Sequence, residues 1–446
     1  MKLLRSQSRF TKLAAIGAAA VLALSACGGT TAGTEDGGSG DGGGEIQFWD
    51  TQATPARTAV LKDIIASFEA ENPSIKVKYV GLPSSSYQQK VDTAIATGAT
   101  PDVITSSITD TANMVAQNAM EALDERFDAG SWADKISKSM VETARSVVPD
   151  HKLYFAPASG LANTLWVRPE LFKADGVEIP KTWDDFFAAA KTLTHAEKNQ
   201  FGYIFRGGAG MFPQLLDVMY GQSGISSFID ENGKSTLNDP LNVKALERYV
   251  TLYGNESASS DLTADYTKMI AQFASGAGAM MNHNIGSYQD HVKAFGADNI
   301  LGLQPFPSDN GKVTVSGATV LGPGIFKASK NKDAAWKFTE YFLSAEGNAL
   351  WAKGLGYIPA NTEVAQQAWI QDAQPLKLAA STLDDPNTQV LHEPFYLPEY
   401  NSIAKTKLEP EWQKVLQGNE TAQGFLDKAA GMYTDAQAAY DKRTKK

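Results

Sequence analysis

Residues 45–80 read EIQFWDTQATPARTAVLKDIIASFEAENPSIKVKYV, and the order of apolar side chains in this stretch sets the fold class. Glu45-Ile46-Gln47-Phe48-Trp49 is short and apolar enough for a first strand. Residues 58–71 then place Val60, Leu61, Ile64, Ile65 and Phe68 on one face of a helix, which Asn72-Pro73 stops. Residues 75–80 alternate apolar and polar, as a half-buried strand does. A second helix is predicted over 87–97 with Gly98 as its cap, and Pro101-Asp102-Val103-Ile104 leads into a third strand. Strand and helix in alternation imply a parallel sheet with right-handed crossovers. Ligands of such sheets bind beyond the carboxyl ends of the strands, which directs attention to residues 50–54 and 105–110.

The α/β pattern resumes downstream. Thr182 and Asp185 form a helix start of the capping-box kind, followed by Phe186, Phe187, Ala190 and Leu193 on the buried face. Residues 269–273 end a helix closed by Gly276, and Ala279-Met280-Met281 is a predicted strand running into a polar loop, Asn282-His283-Asn284. A helix over 331–342 carries Ala334, Ala335, Phe338, Tyr341 and Phe342. The tail is predicted helical from about Glu411, its basic end at 442–446 reading as a frayed terminus.

Ahead of this body lie a basic start (Lys2, Arg5, Arg9, Lys12), an apolar run over 13–24 and the sequence Leu24-Ser25-Ala26-Cys27, which holds the only cysteine among 446 residues. The run is shorter than the roughly 20 residues a membrane-spanning helix needs, and the pattern resembles a bacterial lipobox. That resemblance implies a signal peptide over 1–26, cleavage before Cys27 and acyl chains on Cys27. Residues 28–44 hold nine glycines in seventeen positions and no large apolar side chain, so 27–44 is expected to be a disordered tether spanning roughly 23 Å. Losing the four cationic side chains ahead of Cys27 takes the formal charge from −10 to −14. Such an acidic body repels phosphate backbones, which argues against nucleic acid as a partner. With one cysteine, no intramolecular disulfide can form.

The body resembles extracellular solute-binding proteins of family 1, the carbohydrate-binding components of bacterial ABC importers. The resemblance rests on Phe48-Trp49, Phe68-Glu69-Ala70-Glu71-Asn72-Pro73, Gly98-Ala99-Thr100-Pro101-Asp102-Val103, Phe273-Ala274-Ser275-Gly276 into Ala279-Met280-Met281, and the stretch from Gly317 through Lys337-Phe338 to Gly356-Tyr357-Ile358-Pro359. It implies a two-lobed periplasmic-binding-protein-like α/β fold of type II, maltose-binding-protein-like. Each lobe would be a mainly parallel sheet flanked by helices, with a hinge between them. Lobe one would be 45–154 plus 300–355, and lobe two 155–299 plus 356–446. It also implies a monomer, lipid-anchored on the outer face of the cytoplasmic membrane and at the cell surface of a Gram-positive bacterium, that hands a mono- or oligosaccharide to a permease.

A neutral sugar needs paired hydrogen-bonding groups for its hydroxyls and flat apolar surfaces for its C–H faces. Loops with that mixture give the candidate contacts. They are Trp49, Asp50, Thr51 and Gln52 after the first strand; Ser106, Thr109 and Asp110 after the third; Ser159, Leu161 and Asn163; Arg206, Met211 and Phe212; Asn282, His283, Asn284 and Tyr288; Gly317 and Thr319; and, where the resemblance implies a late aromatic contribution, Phe395, Tyr396 and Tyr400. A tryptophan that such proteins often carry near Gly286 to Tyr288 is absent. Trp49 also reads as core, and Arg206 also reads as a solvated loop charge. No His-Glu-x-x-His, Gly-x-Ser-x-Gly or zinc spacing occurs, and Phe228 stands where a phosphate-binding loop ending at Gly233-Lys234-Ser235 needs glycine. No enzyme, cofactor or metal is expected. The alternatives are a binding protein for glycerol-phosphate or another polar solute, or a secreted glycoside hydrolase using two converging carboxylates.

Overall fold

The computed structural model describes residues 43–83, 86–316, 319–382 and 385–444. Strand β1 (Gly44–Asp50) pairs in parallel with β2 (Ile75–Gly81), from Gly44 opposite Ile75 to Asp50 opposite Gly81, and on its other side with β3 (Val103–Ser107). The helix Pro55–Glu71 is the crossover between β1 and β2. It begins three residues before the predicted Thr58 because Thr54 Oγ1 accepts the Arg57 backbone N–H at 3.2 Å. Pro55 then takes the first helical turn, where no N–H is needed. The helix ends at Asn72, whose backbone N and Nδ2 donate to the Phe68 carbonyl at 2.9 and 3.0 Å. Leu61, Ile64, Ile65 and Phe68 are buried under it, each contributing on the order of 1.5–3 kcal/mol. Phe48 and Phe68 both meet Phe338 edge-on at 5.1 Å.

The larger sheet continues with β10 (Thr319–Ile325), β4 (Ser159–Leu161) and β11 (Ile358–Pro359), each antiparallel to its neighbour, in the order β2-β1-β3-β10-β4-β11. A second sheet has the order β6 (Phe201–Ile204), β7 (Gly278–Asn284), β5 (Asn163–Val167) and β8 (Leu301–Leu303). A two-stranded parallel ladder joins β9 (Val313–Ser316) to β12 (Thr388–Leu391). In the second sheet β6 and β7 are parallel, and β5 lies antiparallel between β7 and β8. Thus β6, β7 and β8 share a direction, and the helix Tyr288–Phe295 between β7 and β8 is again a crossover. One strand direction predominates in each sheet, but five of the eight neighbour pairings are antiparallel, so the sheets are mixed rather than mainly parallel. The reversed interior strands, β10 and β5, follow segments arriving from the other sheet and are not bound by the crossover rule.

The chain changes sheet at Ala162, between β8 and β10, and after Pro359. The lobe limits expected from the sequence were 154/155, 299/300 and 355/356. β4 and β11 belong to the larger sheet and β8 to the smaller, so the changes of sheet fall later in the chain than those limits.

Alternation within strands sorts side chains into three apolar clusters. Phe48 belongs to one that runs on to Trp166, Met281 and Ile285 of the second sheet. Trp49, pointing the other way, joins Val91, Ile104, Met114 and Phe326. Met280 joins Tyr203, Phe205 and Trp412. The Thr182–Asp185 capping box is present, with both reciprocal bonds at 3.1 Å. One local expectation is corrected: Asn282, His283 and Asn284 are the end of β7, not a loop. They pair with Leu165, Thr164 and Asn163, so the backbone ladder continues where the side chains turn polar. Among the described residues no helix is long and apolar enough to cross a membrane. The signal peptide of 1–26, Cys27 and nearly all of the 27–44 tether lie outside the described residues.

Candidate functional site

Where β1 ends, Asp50 is fully buried and engaged on both oxygens. Oδ1 accepts from Arg57 Nε at 2.7 Å and Thr105 Oγ1 at 3.2 Å, and Oδ2 from the Tyr79 hydroxyl at 3.2 Å. Arg57 reaches on, donating from Nη1 to the Tyr357 hydroxyl at 3.0 Å, with its guanidinium 4.6 Å from the centre of the Trp351 ring. Burial alone lowers the Arg57 pKa, but Tyr357 and Asp50 more than offset it, so the group is held charged. Thr51 is tied to Thr105 at 2.9 Å, and Gln52 is exposed. At the end of β3, Ser106 bonds Thr111 at 2.9 Å, and Asp110 accepts from the Tyr87 hydroxyl at 2.6 Å and Ser107 Oγ at 2.7 Å. The Thr109 carbonyl accepts from Asn401 Nδ2 at 2.6 Å, which bridges the end of β3 to the carboxyl-terminal segment.

The facing group comes from the second sheet. Arg206, half-buried after β6, donates from Nε to the Ala209 carbonyl at 2.9 Å and from Nη1 to the Gln214 amide oxygen at 2.9 Å. Burial lowers its pKa to about 10, with Asp265 and Glu409 acting in the opposite sense. His283 is neutral, its pKa pushed down to about 3 by burial and then by the charge of Arg206. Its ring lies under that of Tyr266, 5.0 Å away and 27° from parallel. Tyr266 is 41 % exposed, one of two large apolar side chains left so open among the described residues. Tyr357 and Arg206 both act electrostatically on Tyr266, so the two groups lie near the open Tyr266 ring.

At the passage between the sheets, Leu161 pairs with Thr319 and Asn163 with Asn284, all four partly exposed. A Cβ on Gly286 would sit 3.2 Å from Tyr357 Cε1 and 3.3 Å from Leu161 Cδ2. The space a larger side chain would need near Gly286 is thus filled by Tyr357 and Leu161. Gln52, Leu161, Asn163, Arg206, His283, Asn284 and Thr319 are thus polar or partly open groups at the ends and crossings of the two sheets.

The remaining candidate contacts among the described residues are engaged within the fold. Trp49 packs in the outer cluster with Nε1 bonded to Gln47 Oε1 at 2.9 Å, because β1 alternation turns it away from Phe48. Met211, Phe212 and Tyr400 are core, Phe212 stacking on Tyr433 at 5.8 Å. Tyr288 stacks on Trp166 at 6.0 Å, and Ser159 Oγ accepts from Trp351 Nε1 at 2.8 Å. Phe395 packs edge-on against Tyr400 at 4.7 Å, and the Tyr396 hydroxyl donates to Gln437 Oε1 at 2.6 Å. Asn282 is buried, Asp50 and Asp110 are internally bonded, and Gly317 lies outside the described residues. Sequence reasoning missed Arg57, Tyr266, Tyr357 and Asn401. A tyrosine directly after the helix cap Asp265 was the available signal for Tyr266. Among the described residues no cluster of three or more His, Cys, Asp or Glu side chains could hold a metal ion.

Residues 52–349 match the model of a protein family described as bacterial extracellular solute-binding protein. The mannitol-binding protein of Pseudomonas aeruginosa is 26 % identical over 363 residues, covering 75 % of this chain and 80 % of its own. The multiple sugar-binding protein of Streptococcus mutans is 24 % identical over 303 residues, covering 64 % and 68 %. The GacH receptor of Streptomyces glaucescens, solved unliganded and with acarbose, superposes with a TM-score of 0.77 at 22 % identity, covering 89 % of this chain and 99 % of that one.

Proposed function

We propose, from the premise that the chain belongs to the bacterial extracellular solute-binding protein family, that it captures a neutral carbohydrate or polyol for an ABC importer. Members of this family bind solutes and are not enzymes, so the glycoside-hydrolase alternative falls away. In this reading the two sheets are the cores of two lobes, divided where the chain changes sheet, and the solute lies between Tyr357 with Arg57 on one side and Tyr266 with His283 on the other. The observation that carries the ligand class is the open Tyr266 ring stacked on a neutral imidazole, a flat apolar surface of the sort sugar C–H faces need. The neighbouring cation, Arg206, is already engaged by Ala209 and Gln214. That leaves a thin supply of charge for an anionic solute such as glycerol-phosphate. The names of the mannitol- and multiple-sugar-binding relatives support the same class. Lipidation at Cys27, a position facing out from the cytoplasmic membrane and delivery to a permease complete the proposal.

Titration calorimetry with mannitol, maltose, acarbose and glycerol 3-phosphate tests it. Binding of a neutral compound should change little between 0.01 and 1 M salt, where the Debye length falls from about 30 to 3 Å. Binding of glycerol 3-phosphate alone, lost steeply with salt, would instead assign the anionic class.

A further inference from the structure

Adjoining the strand ends that carry Asn163 and His283, a partly enclosed cavity of about 40 Å³ lies where the passages between the sheets converge. Its walls come from β5 (Asn163, Leu165), from the segment after β8 (Pro305, Phe306) and from the helix Gln374–Thr382 (Leu378, Ala379). Asp217, on the helix Phe212–Ser223, lines it together with Asn282 of β7. Asp217 is 3 % exposed and Asn282 8 %. Asp217 Oδ1 accepts from Ser316 Oγ at 2.6 Å and from Ser316 N at 3.4 Å. Asp217 Oδ2 and Asn282 Oδ1, both buried, have no hydrogen bond of normal geometry, although the side-chain amides of Asn163 and Asn282 lie near enough to the carboxylate to favour its charged form.

The carboxylate is also electrically uncompensated. Among the described residues it has no ion-pair partner, and the charge acting with it is another carboxylate, the half-buried Glu393, two residues beyond the end of β12. Glu393 is bonded to the Tyr400 hydroxyl rather than to a cation. Two acceptors without well-formed bonds at the polar end of an otherwise apolar cavity suit a guest with at least two N–H or O–H donors, and the excess negative charge favours a cation. Calcium takes six to eight oxygens and is a poor match to these walls. A water needs about 10–15 Å³ measured this way, so the room suits about three heavy atoms.

We propose that this cavity is a binding site for a small primary alkylammonium ion, its N–H groups donating to Asp217 Oδ2 and Asn282 Oδ1 and its carbons lying against the apolar walls. The site does not rest on the sugar reading, and of the sugar contacts expected from the sequence it shares Asn163 and Asn282. Burial raises the Asp217 pKa to about 6, so the ion binds best above that pH, where the carboxylate is charged.

The test is calorimetry and thermal unfolding of the full chain at pH 8 with ethylammonium chloride, against potassium chloride at equal ionic strength and against tetramethylammonium, which has no N–H. Ethylammonium should bind saturably and raise Tm, and the two controls should not. Asp217→Asn should weaken it by about tenfold or more, the scale of a lost charge-assisted hydrogen bond. Ala379→Leu, which fills the cavity and keeps the carboxylate, should abolish it and decides the matter if Asp217→Asn does not fold. Absence of saturable binding, an equal response to tetramethylammonium, or unchanged binding in Ala379→Leu would overturn the proposal.

Discussion

Arg57 Nε and Asp50 Oδ1 lie 2.7 Å apart, with the two side chains 5 % and 0 % exposed. The pair closes the end of β1 onto the first turn of the following helix and, through Tyr357, onto the segment that leads into β11. Removing one partner strands the other charge in the interior. Arg57→Met is expected to cost about 3–5 kcal/mol of unfolding free energy, and a second change, Asp50→Asn, should return part of it. Urea denaturation of the single and double variants measures this. A loss below 1 kcal/mol for Arg57→Met would show that the pair is not the clamp its burial suggests.

Tyr266 and Trp49 are expected to separate affinity from stability. Tyr266 is open and stacked on His283, so Tyr266→Ala should weaken sugar or polyol binding by about 1–3 kcal/mol with little change in Tm. Trp49 is packed with Val91 and Ile104, so Trp49→Ala should lower stability by about 3–5 kcal/mol. Calorimetry paired with thermal unfolding reads both. Unchanged affinity in Tyr266→Ala would remove that ring from the site.

Much of the fold was legible because local signals and tertiary packing agreed. The apolar spacing of Leu61, Ile64, Ile65 and Phe68, the Thr182–Asp185 box and Gly98 at φ +71° each ended up as their residue types require. The site was less legible for a physical reason. A strand's two faces are equally apolar when both are covered, so sequence could not say whether Trp49 or Phe48 turned toward a given layer. Arg57 and Tyr357 are 300 residues apart and meet only through tertiary structure. Polar residues extending a ladder, as Asn282, His283 and Asn284 do, carry no periodic signal that distinguishes strand from loop.

Asn401 Nδ2 donates to the Thr109 carbonyl across 292 residues at 2.6 Å. If the two sheets are cores of separately moving lobes, this bond belongs to the closed arrangement. Asn401→Ala should then enlarge the radius of gyration of the ligand-free protein in small-angle scattering, while saturating sugar restores the compact value. Identical scattering from variant and parent without ligand would count against that role.

Cys27 is the sole thiol and stands in a lipobox-like sequence, and two or three acyl chains anchor a protein durably. Cys27→Ala is expected to shift the protein from the membrane fraction to the medium without altering its circular dichroism. Retention on membranes after a salt wash would exclude lipidation as the anchor.

Stability near neutral pH is expected to carry the signature of buried acids. Burial raises the pKa of Glu393 to about 7 from an ordinary 4.5, and that of Asp217 to about 6 from 3.8. Between the ordinary and the raised values the folded chain holds more protons than the unfolded one, so these groups lower stability as pH rises, with the full loss in place above about pH 7. His283 and His291, pushed down to about 3, act oppositely below 6.5, since there the unfolded chain takes up the protons. The parent's own profile therefore mixes two opposed slopes. A difference isolates the acids: the stability of the parent minus that of Glu393→Gln should fall between about pH 5 and 7.5 by on the order of 2–3 kcal/mol. Urea titrations at half-unit pH steps give that curve. A flat difference would mean that Glu393 titrates alike in both states and is less enclosed than its contacts with Tyr400 imply.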